Sequence, residues 1–308
     1  MKFFDLHCDT ASKIYYEKQS LLSNSLSVDI EKLIKGKSLG QVFAFFIDIG
    51  NHNDPYDEFM KIYNNFIEEY NKNKDKIKII NNYEDIIFSK EKVLALLSIE
   101  EGEVLQGNID NIKELFKLGI RIITLTWNYK NTIGYPNYNY IYKEKGLTEF
   151  GKNVVEEMEK QKIIVDSSHL SDAGFWDLIN ICKKPFIASH SNSRVIKEHP
   201  RNLTDEMIKN LSDKGGVMGL NFCADFLGFS KIATINDMIL HIKHIKNVGG
   251  IDVIALGTDF DGIENSVEIK NISEMDKLSY ELNKNGFTDD EIEKIFYNNV
   301  LRVFKDTL

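Results

Sequence analysis

Short apolar runs, most of them ending on a polar or charged residue, recur along the whole chain. Eight stand out: Phe3–His7, Val42–Ile47, Val93–Glu100, Ile120–Trp127, Ile163–His169, Phe186–His190, Gly216–Phe222 and Val253–Asp259. Runs of this length, rich in Ile, Val and Phe, read as strands buried in a sheet. Helical periodicity separates most of them. Tyr56–Asn71 places Phe59, Ile62, Tyr63, Phe66 and Tyr70 at spacings of three and four, and Leu147–Gln161 and Asp237–Val248 behave the same way. Thr288-Asp289-Asp290-Glu291 predicts a capping box, and Ser171 and Thr204 are good helix caps. Val300–Lys305 predicts an amphipathic helix near the end of the chain.

Alternating strand and helix predicts parallel strands joined by right-handed crossovers. Eight strands close an α/β fold of the (β/α)8 TIM-barrel type. An open doubly wound sheet is the alternative, weakened because the chain carries no glycine-rich phosphate loop. A barrel of this kind needs about 250 residues, more with insertions, so the 308 residues are read as one domain, 1–308. One connection, Asn128–Lys145, is long and rich in Asn and Tyr. Long loops in compact domains are often lids; a plain surface insertion is the other reading.

Composition narrows the function. Net charge is −9 and no basic stripe is visible, which argues against a nucleic-acid partner. No apolar stretch reaches the ~18 residues of a membrane span, so no membrane partner is expected. The three cysteines, Cys8, Cys182 and Cys223, are odd in number and lack metal-site spacing, which suits a reducing compartment. The first candidate strand follows Met1-Lys2 directly, leaving no room there for a signal peptide. A cytoplasmic protein is expected.

The chemistry lies at the ends of the runs. Polar groups at the carboxyl ends of parallel strands are how a β/α barrel builds a site. His7 and Asp9 are two apart, so on a strand both point to one face while Cys8 points away. Glu100 and Glu101 end the third run; only one can enter the barrel, and alternation does not settle which. His169 and His190 each end a run, and neutral imidazole is a common metal ligand. His241 and His244 share a helix face far from a strand tip and are read as packing or surface residues. Asp259 and Asp261 flank Phe260, with Gly262 placing Asp261 in a turn. An acid beside two metals could deprotonate attacking water and later protonate a leaving amine. Arg201, on the connection after the sixth run, offers a planar fork that could clamp a substrate carboxylate. Taken together, the two carboxylates and three imidazoles predict a divalent-metal cage and a metallohydrolase.

With these residues assembled, the chain resembles the membrane dipeptidase (renal dipeptidase) family of zinc metallopeptidases almost end to end. The matching segments include Asp5-Leu6-His7-Cys8-Asp9, Ser98-Ile99-Glu100-Glu101-Gly102 and Leu118–Asn128. Further on come Gly146–Gly151, Asp166-Ser167-Ser168-His169-Leu170-Ser171, Ala188-Ser189-His190-Ser191-Asn192 and Gly257–Gly262. The resemblance implies two Zn2+ per chain. His7, Asp9 and Glu100 hold one, and Glu100 bridges to a second completed by His169 and His190. It favours Glu100 over Glu101, and Asp259 over Asp261 as catalytic acid/base, with Arg201 on the terminal carboxylate of a dipeptide. A hydroxide bridging the two metals would attack the peptide bond. The resemblance also implies tolerance of a D-residue at the C-terminal position, β-lactam hydrolysis and a homodimer.

Two features depart from the family pattern. Trp127 stands where the best-known mammalian enzyme has a histidine thought to polarise the scissile carbonyl, so it is read as a pocket wall. The membrane anchor and secretory disulfides of the animal enzymes find no counterpart in the sequence. The closest rival is a metal-dependent amidohydrolase acting on lactones, cyclic amides or β-lactams. Related amidohydrolases usually begin with His-x-His, whereas this chain has His7-x-Asp9. A non-catalytic binding barrel is the rival from another class, and the complete ligand set argues against it.

Overall fold

The structure, a computed structural model, describes residues 1–89 and 92–308. The eight expected strands are present: β1 Phe3–Cys8, β2 Ser38–Phe46, β3 Val93–Glu100, β4 Ile120–Thr124, β5 Ile164–Asp166, β6 Ile187–Ala188, β7 Val217–Leu220 and β8 Ile254–Leu256. Each pairs in parallel with its neighbour in sequence, and β1 closes the ring on β8 through Asp5 and Leu256. The result is a closed (β/α)8 barrel. A three-residue strand, Ile77–Ile79, pairs with the start of β3 outside the ring.

Two apolar layers hold the barrel. Inside it, alternate residues such as Phe4, Leu6, Val42, Leu96, Ile122 and Ile164 form one buried cluster. Outside it, the opposite faces of the strands pack under the surrounding helices as a second, larger cluster. Side chains two apart on a strand share a face, which is how continuous apolar runs feed both layers. The terminal helix Asn299–Thr307 plugs the amino-terminal end of the barrel with Val300, Val303 and Phe304. Its Phe304 ring meets Phe4 edge-on at 5.2 Å between centroids. An apolar plug there leaves the carboxyl ends of the strands as the place for polar groups.

The helix signals hold. Pro55–Lys72, Glu149–Lys160 and Ile235–Gly249 cover the three periodic stretches. Thr288 and Glu291 form the capping box, and Ser171 and Thr204 cap their helices. Among the described residues, no helix is long and apolar enough to cross a membrane.

The candidate dinuclear metal centre

The five predicted ligands and Asp259 converge at the carboxyl ends of the strands, and they arrive by several local devices. His7 lies within β1, where the pairing with β2 slips between Asp5 and Cys8: three steps on β1 oppose two on β2. Such a bulge re-aims a side chain. It lets both Leu6 and His7 serve the interior while Cys8 packs in the outer layer. Asp9 is not on the strand; it stands at the N-cap of the helix Thr10–Tyr16. Glu100 is the last residue of β3. His169, His190 and Asp259 lie past the ends of β5, β6 and β8, which stop two or three residues short of where the apolar runs predicted. His169 and Asp259 take left-handed φ of 67° and 60°. That conformation is uncommon away from glycine and is often found at functional sites.

The five side chains are buried, none more than 7% exposed. Glu100 sits between them. Its Oε2 faces His7 Nε2 at 3.3 Å, while its Oε1 faces His169 Nε2 at 3.0 Å and His190 Nε2 at 3.6 Å. Asp9 and Asp259 approach His7 Nε2 from the other side at 3.5 and 4.0 Å. His169 and His190 bring their Nε2 atoms within 3.0 Å of each other. Two sets of donor atoms are close enough to hold a cation each or share one: His7, Glu100 and His190, and His7, Asp9 and Asp259. His7 Nε2 and Asp9 Oδ1 are buried yet hydrogen-bonded to nothing. Buried polar atoms without partners cost about 1–3 kcal/mol each, so their presence calls for a missing partner. A mixed set of imidazole nitrogens and carboxylate oxygens suits zinc. The residues fit a divalent metal.

The electrostatics divide the set. Burial opposes a charge on His7, but Glu100 and Asp9 outweigh it and raise His7 well above its usual range. Burial raises Asp9, whereas His169 and His190 are lowered. Burial and the Arg201 charge push the His169 imidazole down to about 4, and burial, with His7 and Arg201 nearby, holds His190 well below its usual range. Both are therefore neutral at pH 7, the form that ligates. Burial opposes ionisation of Glu100, but His7 and His169 outweigh it and keep the carboxylate well below the usual range. Burial, opposed by His7, pushes Asp259 up to about 6.

Of the two adjacent glutamates, Glu101 turns out of the interior through a φ of 110°. Its carboxylate accepts from the backbone N–H groups of Glu103 and Trp127 at 2.8 and 3.0 Å and from Asn131 Nδ2 at 2.5 Å. Asp261 is likewise occupied elsewhere, accepting from Thr10 Oγ1 and the Ser27 N–H at 2.6 and 2.7 Å. Gly262 makes the turn possible: a Cβ there would lie 2.1 Å from Asp9 Oδ2 and 2.5 Å from Asp259 Oδ1.

A cavity of about 840 Å³ opens over the cluster, lined by Asp9, Phe46, Glu100, Trp127, Arg201 and Asp259 among others. Arg201 is 5% exposed. Its Nη2 donates to the His190 carbonyl at 3.2 Å, while Nε and Nη1 have no partner. Trp127 packs against Phe46, ring centroids 4.7 Å apart, and forms part of the wall.

Three further contributors were not singled out as site residues from the sequence. Asn128 Oδ1 accepts from His169 Nδ1 at 3.2 Å, Asn221 Nδ2 donates to Asp259 Oδ2 at 2.9 Å, and Asp166 lies beneath the cluster. Only Asp166 left a trace, as an acid inside an apolar run. His241 is a packing residue: it accepts from the Ser193 N–H and donates to the Leu227 carbonyl. The connection Asn128–Lys145 is pinned down rather than free to act as a lid. The Asn137 N–H donates to the His169 carbonyl at 2.7 Å, and Tyr140 bonds Glu198. Only Asn128 of this segment lines the cavity.

The family model of membrane dipeptidase (peptidase family M19) matches residues 1–308. The chain belongs to this family. It is therefore a dipeptidase-family hydrolase, one of the M19 metallopeptidases. It is 30% identical over 298 residues to an uncharacterised dipeptidase of Schizosaccharomyces pombe, covering 91% of this chain and 72% of that one. Its fold superposes on a dipeptidase of family M19 with a TM-score of 0.93 at 21% identity, over 100% of this chain and 98% of the other. A metallopeptidase from Rhodobacter sphaeroides, crystallised with a phosphinate mimic of the dipeptide L-Ala-D-Ala, gives a TM-score of 0.92 at 20% identity. There the match covers 100% of this M19 member and 99% of its neighbour.

Proposed function

We propose that this chain is a dinuclear zinc dipeptidase. One zinc is held by His7, Asp9 and Glu100, the second by Glu100, His169 and His190. The observation that carries the reading is the split of Glu100, whose two oxygens face different donor sets at 3.3 and 3.0 Å. A carboxylate placed in this way bridges metals about 3.5–4 Å apart. When bound, such a pair would supply an acidified water as nucleophile and Lewis-acid polarisation of the scissile carbonyl.

The chain's own residues do the rest. The unpartnered Nε and Nη1 of Arg201 are placed to take the substrate's terminal carboxylate as a charge-assisted pair. Trp127 walls the pocket beside the cluster. Asn221 fixes one oxygen of Asp259, leaving the other near His7, where it can take a proton from attacking water and return it to the leaving amine. Substrates are dipeptides, with a D-residue accepted at the C-terminal position; the phosphinate ligand of the Rhodobacter sphaeroides structure is of that class. The protein is read as cytoplasmic, consistent with three unpaired cysteines, and as a homodimer, to be checked by light scattering.

The test is a panel of L-L and L-D dipeptides with lactones and a β-lactam alongside, assayed on zinc-loaded protein of measured metal content. Dipeptide turnover at two zincs per chain is expected. Lactone turnover without dipeptide turnover would move the assignment to the amidohydrolase alternative.

A further inference from the structure

Beneath the cluster, Asp166 ends β5 fully buried, and four donors converge on its carboxylate. The backbone N–H groups of Ser168 and Ser189 reach Oδ1 at 3.0 and 2.8 Å. The hydroxyls of Thr124 and Ser189 reach Oδ2, both at 2.6 Å. Ser189 Oγ in turn lies 2.7 Å from His190 Nδ1. The order of atoms is therefore Asp166 Oδ2, Ser189 Oγ, His190 Nδ1, with His190 Nε2 on the far side of the ring facing Glu100 Oε1 and His169 Nε2.

Hydrogen-bond polarity runs one way along this chain of atoms. Both oxygens of Asp166 are met by donors, two backbone N–H groups at Oδ1 and the Thr124 and Ser189 hydroxyls at Oδ2, so the Ser189 proton points at Asp166. The serine lone pairs then face His190 Nδ1, which must carry the ring proton. Nε2 is left with its lone pair toward the cluster. We infer that Asp166 is a positioning residue that fixes the ligating tautomer of His190 through the Ser189 hydroxyl. The inference rests on the reading of His190 as a zinc ligand. Ligating histidines generally donate their second N–H to a partner that sets ring orientation and basicity, and losing that partner typically costs about 10–100-fold in metal affinity or activity. Here the carboxylate acts at one remove, which puts its charge in the barrel interior below the metals rather than beside them. His169 is served differently, by the amide oxygen of Asn128.

Asp166→Asn keeps shape but not polarity. The two backbone N–H groups hold an oxygen at the Oδ1 position, so the new NH2 faces Ser189 and Thr124. Ser189 then receives a proton where it gave one, and its own hydrogen is free to turn to His190 Nδ1 or to Ser168 Oγ at 3.2 Å. Thr124→Val is the matched control, because it removes a donor from the same oxygen without touching the relay.

The experiment measures zinc affinity by chelator competition, and the visible spectrum of the cobalt-substituted protein, for wild type, Asp166→Asn, Ser189→Ala, Thr124→Val and His190→Ala. Asp166→Asn and Ser189→Ala are expected to weaken binding of one zinc by about 10–100-fold and to shift the cobalt spectrum. Thr124→Val should leave both readouts unchanged even if its melting temperature falls. Wild-type zinc affinity in Asp166→Asn or Ser189→Ala, or an equal loss in Thr124→Val, overturns the inference. Unchanged zinc binding in His190→Ala instead removes the ligand reading on which it rests. Should Asp166→Asn not fold, Ser189→Ala decides: an unchanged affinity and cobalt spectrum there overturn the proposal.

Discussion

The layer beneath the cluster and the wall above it both bury ionisable side chains but treat their polar atoms in opposite ways. Below and beside it, Asp166 accepts four hydrogen bonds and Glu101 three, so both carboxylates are satisfied by the protein itself. Above it, His7 Nε2, Asp9 Oδ1, and Nε and Nη1 of Arg201 are equally buried and have no partner. Folding does not explain the second group, because an unanswered buried polar atom opposes folding. A satisfied carboxylate marks architecture here, and an unsatisfied one marks where a cation or substrate goes. Burial does not separate the two groups, and an aspartate stands in each; the count of partners separates them.

The contrast breaks most visibly at Glu100, the residue that bridges the two zincs in the proposed reading and whose two oxygens face different donors. Glu100→Ala should lose both zincs and lower kcat/KM by on the order of 10⁴-fold or more, as when a member of a catalytic unit is removed. Metal analysis showing two zincs still bound would contradict the bridging role. Asp259→Asn comes next: kcat is expected to fall about 10²–10⁴-fold, the scale of a general acid–base, with zinc content retained. Loss of zinc with loss of activity would instead make Asp259 a ligand.

Arg201→Met should weaken substrate binding by about 2–5 kcal/mol, read mainly as a raised KM. A dipeptide amide, lacking the terminal carboxylate, should be a poor substrate of wild type and lose little further in the variant. Equal sensitivity of acid and amide substrates would show that Arg201 anchors something else. Trp127→Phe keeps an aromatic wall and should change kcat/KM only a few-fold. On the saturated side, Glu101→Gln tests the architectural reading. One amide cannot accept at both oxygens, and a lost hydrogen bond to a charged group is worth about 1.5–3 kcal/mol. A lower melting temperature with near-normal zinc content is expected, whereas loss of zinc at normal stability would place Glu101 in the metal site.

Much of this arrangement was legible in the chain. The eight apolar runs mark the eight barrel strands because strands covered on both faces need apolar residues at every position, a signal that survives without any partner. Five of the run ends, His7, Glu100, His169, His190 and Asp259, meet at the cluster, and Asp9 joins them from just beyond the first. The strand ends themselves were not legible. The backbone leaves the β-conformation after Asp166, Ala188 and Leu256, and His169 and Asp259 enter the left-handed region. No local preference foretells that for a histidine or an aspartate. The choice between Glu100 and Glu101 was open for the same reason, since it depends on a φ of 110° and on donors supplied by Trp127 and Asn131. The composition of the connection after β4 left a lid and a plain surface insertion both open; contacts to His169 and Glu198 hold it down.

The sequence by itself determined the alternation of strand and helix, the ring of eight, and the list of residues able to bind metal, because periodicity and side-chain chemistry are local properties. Tertiary structure alone decided which polar atoms are answered and which are left open. Partners such as Asn128 for His169, Asn221 for Asp259 and Ser189 for Asp166 stand 41, 38 and 23 positions away along the chain. Hydrogen bonds across such separations exist only once the barrel has closed.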